Sequence, residues 1–341
     1  MTTINERQEC MYHAALMKIF ALNGTMALGR AITDDLRIAL ADHEERDFEG
    51  GEHKLRPLVS VRGKDVFIVH SLNGSPEGSA NDKLCKLLFF AATCREHGAS
   101  RVTAVVPYLA YSRKDRQTKT RDPVTTRYVA QLFEAAGIDV VVTLDVHNLA
   151  AFQNAFRCAT VHLDTRKLYS GIIANLAGAE RTLILAPDAG GIKRAQLLRE
   201  YYERLSGNEA QLAFMEKRRS GGVASGHLFA GDAEGANVFI IDDLIGTGRT
   251  MLRAAEACRQ RGANAVYALA THALFDRGCE AVLAHPAIDR TIVTDSASPF
   301  NIPEDVLRNC VEVVGSAPLF SEAIRRLHSG ASLATLSGDD Q

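Results

Sequence analysis

The chain has 341 residues, of which 46% are hydrophobic and 23% charged, with a formal net charge of −2 and no tryptophan. That length accommodates two domains of about 150 residues each, and the composition excludes collagenous, low-complexity and extensively disordered classes. The near-neutral balance carries no electrostatic footprint for a nucleic-acid polymer, and no apolar run approaches the roughly 18 residues that a membrane span needs. The opening stretch MTTINERQECMYHAAL lacks a basic segment followed by an apolar one, so no secretory leader is expected. The seven cysteines are scattered and form no C-x-x-C pair. That argues against a disulfide framework or a Cys-rich zinc site and points to a reducing cytoplasm.

In chain order, runs rich in Val and Ile predict strands over Val66–His70, Val102–Pro107, Val140–Leu144, Thr182–Pro187, Val238–Ile241, Ala265–Ala270 and Thr291–Thr294. They are apolar on both faces, as parallel strands covered by helices must be. Apolar residues at helical spacing predict helices over Asp82–Glu96, Thr126–Ala136 and Thr250–Arg261, the last with Gly262 as its C-terminal cap. Ser71–Ala80 and Arg218–Gly235, rich in Gly and Ser, are expected to be loops, the second a mobile lid; the tail from Ser329 is expected to fray. The alternation predicts a doubly wound α/β fold, and it occurs twice. The expected organisation is two tandem domains, 17–163 and 164–328.

The segment Asn237–Thr250, NVFIIDDLIGTGRT, brings an apolar strand to two adjacent carboxylates and then to a glycine turn that opens a helix. Asp242 and Asp243 can accept hydrogen bonds from vicinal sugar hydroxyls. The backbone N–H groups of Gly246, Thr247, Gly248, Arg249 and Thr250 can wrap a phosphate where the helix dipole also favours an anion. Glycine permits the close approach, and no Walker P-loop is present. This segment resembles the phosphoribosyl-binding signature of type I phosphoribosyltransferases.

Four further segments, RVTAVVPYLAYSRKDR (101–116), TLDVH (143–147), LAPDAGGIKRA (185–195) and MEKRR (215–219), occur in the order expected of one family. With IDDLIGTGRT they resemble ribose-phosphate pyrophosphokinase, from about Lys18 to about Leu327. The resemblance implies two phosphoribosyltransferase-like domains, a nucleotide side and a sugar-phosphate side. It also implies Mg2+-dependent transfer of the β,γ-diphosphate of ATP to C1 of ribose 5-phosphate, and a homo-oligomer, a dimer-based hexamer. By residue-for-residue match it assigns Lys217 and Arg219 to catalysis, Arg219 also to the sugar phosphate, and His147 and Asp188 to the metal. ATP falls to Phe48, Gly50, Glu52, Arg113 and Lys114. Ribose 5-phosphate falls to Asp242, Asp243 and Gly246 through Thr250.

Four positions depart from that pattern. Gly50 stands where the family has an adenine-contacting Asp, and Lys114 where it has Gln. Gly246 replaces the acid that opens the Asp-Thr-Gly-Gly-Thr loop, and Arg249 replaces its second Gly. The Ser71–Ala80 loop is also longer than the family pattern. These changes leave open a divergent member with the same reaction, a diphosphokinase with a changed sugar phosphate or nucleotide donor, and a non-catalytic regulatory homologue.

Overall fold

A computed structural model describes residues 16–220, 223–298 and 301–336. The chain divides into two units, the residues up to Leu163 together with those from Ser316 onward, and Asp164–Gly315.

The first unit is built on a parallel sheet in the order β1-β4-β5-β6-β7. Its strands are β1 (Met17–Ala21), β4 (Asp65–Val69), β5 (Arg101–Val106), β6 (Val140–Leu144) and β7 (Ala159–Leu163). Alternate side chains enter two different cores. Val66, Ile68, Ala104 and Val106 lie on one face, and Phe67, Val69, Val105 and Val142 on the other. That is why these strands read as continuous apolar runs. Helix α1 (Met26–Leu36) follows β1, and β2 (His43–Asp47) and β3 (His53–Pro57) form a separate antiparallel hairpin. Helix α2 (Ala80–Glu96) starts earlier than Asp82, because Ser79 and Asp82 exchange hydrogen bonds in a capping box. Helix α3 (Thr125–Ala135) leads into β6, and α4 (Leu149–Ala155) joins β6 to β7.

In the second unit α5 (Arg166–Ala177), β8 (Arg181–Ala186) and α6 (Ile192–Ser206) precede a hairpin of β9 (Ala210–Ser220) and β10 (Val223–Ala230). Then come β11 (Ala236–Ile245), α7 (Arg249–Arg259), β12 (Ala265–Ala273), α8 (Cys279–Leu283), β13 (Arg290–Thr294), α9 (Glu304–Cys310) and β14 (Val311–Val314). The sheet order is β10-β9-β8-β11-β12-β13-β14, parallel except for β10. Again the two faces are both covered, Leu183, Val238 and Val266 on one and Ile184, Phe239 and Leu269 on the other. No helix among the described residues is long and apolar enough to cross a membrane.

Three expectations change. The Gly/Ser-rich stretch expected as a mobile loop is largely the β9–β10 hairpin, with Lys217 paired to His227 and Arg219 to Ala224. Ladder hydrogen bonds come from the backbone, so a strand can form there without the apolar alternation that marks the others. The last helix, α10 (Ala317–Ser329), belongs to the first unit and not the second. Its Phe320 and Ile324 are buried with Ile19, Leu28 and Ile32. Arg101 fastens its end, donating to the Leu327 carbonyl at 2.7 Å while its Nε holds Asp65 at 2.8 Å, and His328 Nδ1 lies 2.7 Å from the same carboxylate. The described part of the tail, residues 330–336, is also tied down, since Leu333 and Leu336 pack on this core, and residues 337–341 lie outside the described residues.

Phe320→Ala opens a cavity in the first unit alone. It should cost about 3–5 kcal/mol, read as early hydrogen exchange in β1, β4 and α1 while the β11 and β12 amides of the second unit keep their protection.

Candidate active site

In the second unit β8 is flanked by β9 on one side and β11 on the other, so the connections reverse direction between β8 and β11. Ligands in open α/β sheets bind outside the carboxyl ends of the strands at such a reversal. Both strands end in acid there, β8 running into Asp188 and β11 carrying Asp242 and Asp243.

β11 does not stop at Ile241. It continues to Ile245 and carries both carboxylates inside the strand, where neighbouring side chains point to opposite faces. Asp243 is buried. Its N–H donates to Asp242 Oδ1 at 2.9 Å, and the Leu244 N–H donates to Asp243 Oδ1 at 3.1 Å. Burial, reinforced by the Asp243 carboxylate, raises the Asp242 pKa far above its ordinary value, and the Arg194 guanidinium on α6 opposes the shift. Carboxylates so placed can accept hydrogen bonds from a sugar's vicinal hydroxyls or face a cation.

After Ile245 the chain turns through Gly246, Thr247 and Gly248 into α7. Gly248 sits at φ 72°, and a Cβ there would lie 2.8 Å from Val282 Cγ1, so only glycine fits between the turn and α8. No side chain caps the N-terminus of α7. The first N–H groups of that helix therefore lack the usual side-chain acceptor, as an anion site requires. Thr247 and Arg249 are exposed, and the Thr250 hydroxyl lies 3.4 Å from Arg253 Nη2. Gly246 has a different neighbour: its missing Cβ would lie 2.9 Å from the Asp276 carboxylate.

Asp188 closes the turn after β8 by accepting the Gly190 and Gly191 N–H groups on Oδ1, at 2.9 and 3.1 Å. Lys217 and Arg219 lie on the backbone of β9, and their side chains fall outside the described residues.

In the first unit, the loops after the adjacent strands β5 and β6 hold Arg113, Lys114 and His147. Arg113 and Lys114 are exposed. Their loop is pinned by hydrogen bonds from Lys114 N to the Tyr111 carbonyl at 3.1 Å and from the Thr126 hydroxyl to the same carbonyl at 2.9 Å. Asn148 Nδ2 donates to Asp115 at 2.6 Å, and Asn148 Oδ1 accepts from Ala151 as the cap of α4. One side chain thus joins the Arg113–Lys114 loop to the exposed His147. Asp145, two residues before it, is buried at φ 44°, a costly conformation for a non-glycine residue and typical of functional loops.

Phe48 and Glu52 face each other across the tip of the β2–β3 hairpin, where Phe48 N donates to the Glu52 carbonyl at 2.8 Å. Phe48 is exposed, and the Arg46 guanidinium lies 5.2 Å from its ring centre. Gly50 and Gly51 both sit at φ 86° with open space where a Cβ would go. The tip takes two left-handed residues in succession, which favours glycine at 50 on conformational grounds.

The two residues expected to hold metal are divided between the units, His147 in the first and Asp188 in the second. Among the described residues no three His, Cys, Asp or Glu side chains gather into a metal-holding group.

Residues 17–137 match the family model described as the N-terminal domain of ribose phosphate pyrophosphokinase, and residues 226–337 match the phosphoribosyl synthetase-associated domain. A ribose-phosphate pyrophosphokinase of Caldanaerobacter subterraneus subsp. tengcongensis is 34% identical over 321 residues, 94% of this chain and 97% of the relative. One from Haemophilus ducreyi is 33% identical over 94% of this chain and 98% of its own length. The chain belongs to the ribose-phosphate pyrophosphokinase family. The crystal structure of phosphoribosylpyrophosphate synthetase from Mycobacterium smegmatis superposes with a TM-score of 0.82 at 29% identity, covering 92% of this chain and 99% of that one. Membership makes the chain a ribose-phosphate diphosphokinase by class, in a doubly wound α/β fold, and does not favour a regulatory homologue without activity. Two neighbours of the pyrophosphokinase motif escape a reading of the motif alone, Arg194 beside Asp242 and Asp276 beside Gly246. Arg194 lies within the LAPDAGGIKRA segment, whereas Asp276 has no sequence signal.

A carboxyl that holds its proton more tightly folded than unfolded favours the fold in acid. That contribution is complete below the ordinary carboxylate pKa and is lost as pH rises through the raised one. Asp242→Asn removes the charge while keeping an Oδ1 acceptor for the Asp243 N–H. It should raise the melting temperature at about pH 8 by a few degrees and weaken its fall with pH, while diphosphoryl transfer drops about a hundredfold or more.

Proposed function

We propose that this chain transfers the β,γ-diphosphate of ATP to the C1 hydroxyl of ribose 5-phosphate, giving 5-phosphoribosyl 1-diphosphate and AMP. The observation that carries the sugar half is the run from half-buried Asp242 and buried Asp243 through the glycine turn to the uncapped start of α7. The carboxylates accept hydrogen bonds from the ribose hydroxyls, and the helix N–H groups, with the Thr247 and Thr250 hydroxyls, hold the 5-phosphate. The nucleotide half falls to the loops after β5 and β6 and to the hairpin tip. Arg113 forks onto phosphate oxygens, Lys114 adds a point charge, and Phe48 stacks on the base with Glu52 at the same tip.

Mg2+ is proposed as the cofactor, with His147 in the first unit and Asp188 in the second each proposed as a metal ligand. When bound, the ion would supply neutralisation of charge on the diphosphate. Lys217 and Arg219 on β9 add cations to the same charge, which favours the transition state because the transferring group spreads its charge over exposed oxygens. Aligning the two substrates accounts for the rest of the rate, since diphosphoryl transfer needs no covalent intermediate on the protein. We place the protein in the cytoplasm, as a homo-oligomer in which a neighbouring copy presents the Phe48 hairpin. The exposure of Phe48 at the end of a hairpin that forms its own sheet supports that assignment.

With magnesium, ATP and ribose 5-phosphate the protein should form AMP and not ADP, resolved by chromatography. ADP would mean single phosphoryl transfer and would overturn the reading. Lys217→Ala should lower kcat by about a thousandfold with a smaller change in KM for either substrate.

A further inference from the structure

We propose that Asp276, on the loop between β12 and α8, is the substrate-positioning carboxylate of the sugar-phosphate site. It occupies the space beside Gly246 and orients the anomeric hydroxyl of a sugar phosphate. This rests on the reaction proposed above.

The loop that binds the phosphate has no acid of its own between Gly246 and Thr250. A Cβ on Gly246 would lie 2.9 Å from Asp276 Oδ2 and 3.8 Å from its Cγ, so the carboxylate stands where a side chain at 246 would begin. The backbone holds it there. Leu274 N and Phe275 N both donate to the Ile245 carbonyl, at 3.1 and 2.9 Å, and Asp276 N donates to the Gly246 carbonyl at 3.1 Å. Phe275 is fully buried at φ 35°, a left-handed conformation that a bulky residue adopts only when its surroundings fix it. Packing of that ring and three hydrogen bonds to two carbonyls fix the backbone from which the next side chain emerges. Asp276 itself is exposed.

The position also selects what the carboxylate touches. Phosphate-binding N–H groups lie at the helix end of the turn, from Gly248 onward, whereas Asp276 stands at the strand end beside Gly246. A carboxylate repels phosphate and accepts from hydroxyls, so its partner is a hydroxyl of the sugar and not the 5-phosphate. Glycine at 246 is then required because any side chain there evicts Asp276. The Gly246 φ lies outside the left-handed range, so backbone conformation imposes no such requirement.

The test is a transfer of the carboxylate between the two positions, with AMP formation as the readout. Asp276→Asn should lower kcat/KM for ribose 5-phosphate about tenfold to a hundredfold, leave KM for ATP unchanged, and leave the melting temperature within a degree or so. Gly246→Ala should produce a similar loss by displacing the carboxylate, and adding it to Asp276→Asn should cost little more. Gly246→Asp alone should be impaired. Gly246→Asp combined with Asp276→Ala should recover at least tenfold over Asp276→Ala, which a merely structural role for Asp276 would not allow. Unchanged kcat/KM in Asp276→Asn, full additivity with Gly246→Ala, or no recovery in the swapped variant would overturn the assignment. If the unmodified protein forms no AMP, the proposed reaction fails instead, and the two failures are distinct.

Discussion

The carboxyl edge of the second unit's sheet depends on one constraint, the continuation of a buried strand through two consecutive carboxylates. β11 is enclosed by β8 and β12 and is covered on both faces, so its end cannot move to relieve the burial of Asp242 and Asp243. A flexible loop would let both acids turn to water. The strand forbids this, and burial keeps the Asp242 carboxyl's pKa raised. The turn that follows is held as tightly, with Gly248 against Val282 and the Gly246 carbonyl bonded to Asp276 N. Helix α7 starts from that fixed turn.

The first unit presents its candidate residues differently. Arg113, Lys114 and His147 are exposed and stand on loops, and the order in those loops comes from small polar clasps such as Asn148 to Asp115. Polar loops on a rigid parallel sheet are a common solution for nucleotide handling, since the scaffold sets position and the loops retain room to adapt. The Phe48 hairpin goes further, with only its own two strands in its sheet.

Legibility followed burial. The strands covered on both faces, β4, β5, β6, β8, β11, β12 and β13, carry continuous Val and Ile runs and can be placed from composition within a residue or two, apart from the carboxyl ends of β11 and β12. The β2–β3 hairpin, HEERD and HKLRP, has no apolar face to show a period of two. β9 and β10 are hidden because Gly and Ser cluster where the two strands meet and mask the hairpin as a loop, although the backbone ladder needs no particular side chain there. The motif Asp242 to Thr250 was readable because its residues are consecutive. The approach of Asp276 to Gly246 was not, because it arises only when β12 lies beside β11 and brings its following loop back over the turn. Helix α10 has an amphipathic pattern that announces a helix but says nothing about which of two similar sheets it covers.

That helix has a consequence for how the protein is made. The first unit is discontinuous: its core includes Phe320 and Ile324, encoded after all of Asp164–Gly315. During synthesis the amino-terminal sheet therefore emerges with one face lacking part of its cover, and waits while the whole second unit is translated. The second unit is continuous and can close as soon as β14 appears. The usual order, in which the amino-terminal domain matures first, is thus inverted at the last step. The exposed face of β1 and α1 is the surface that a nascent-chain chaperone would need to shield in the interval.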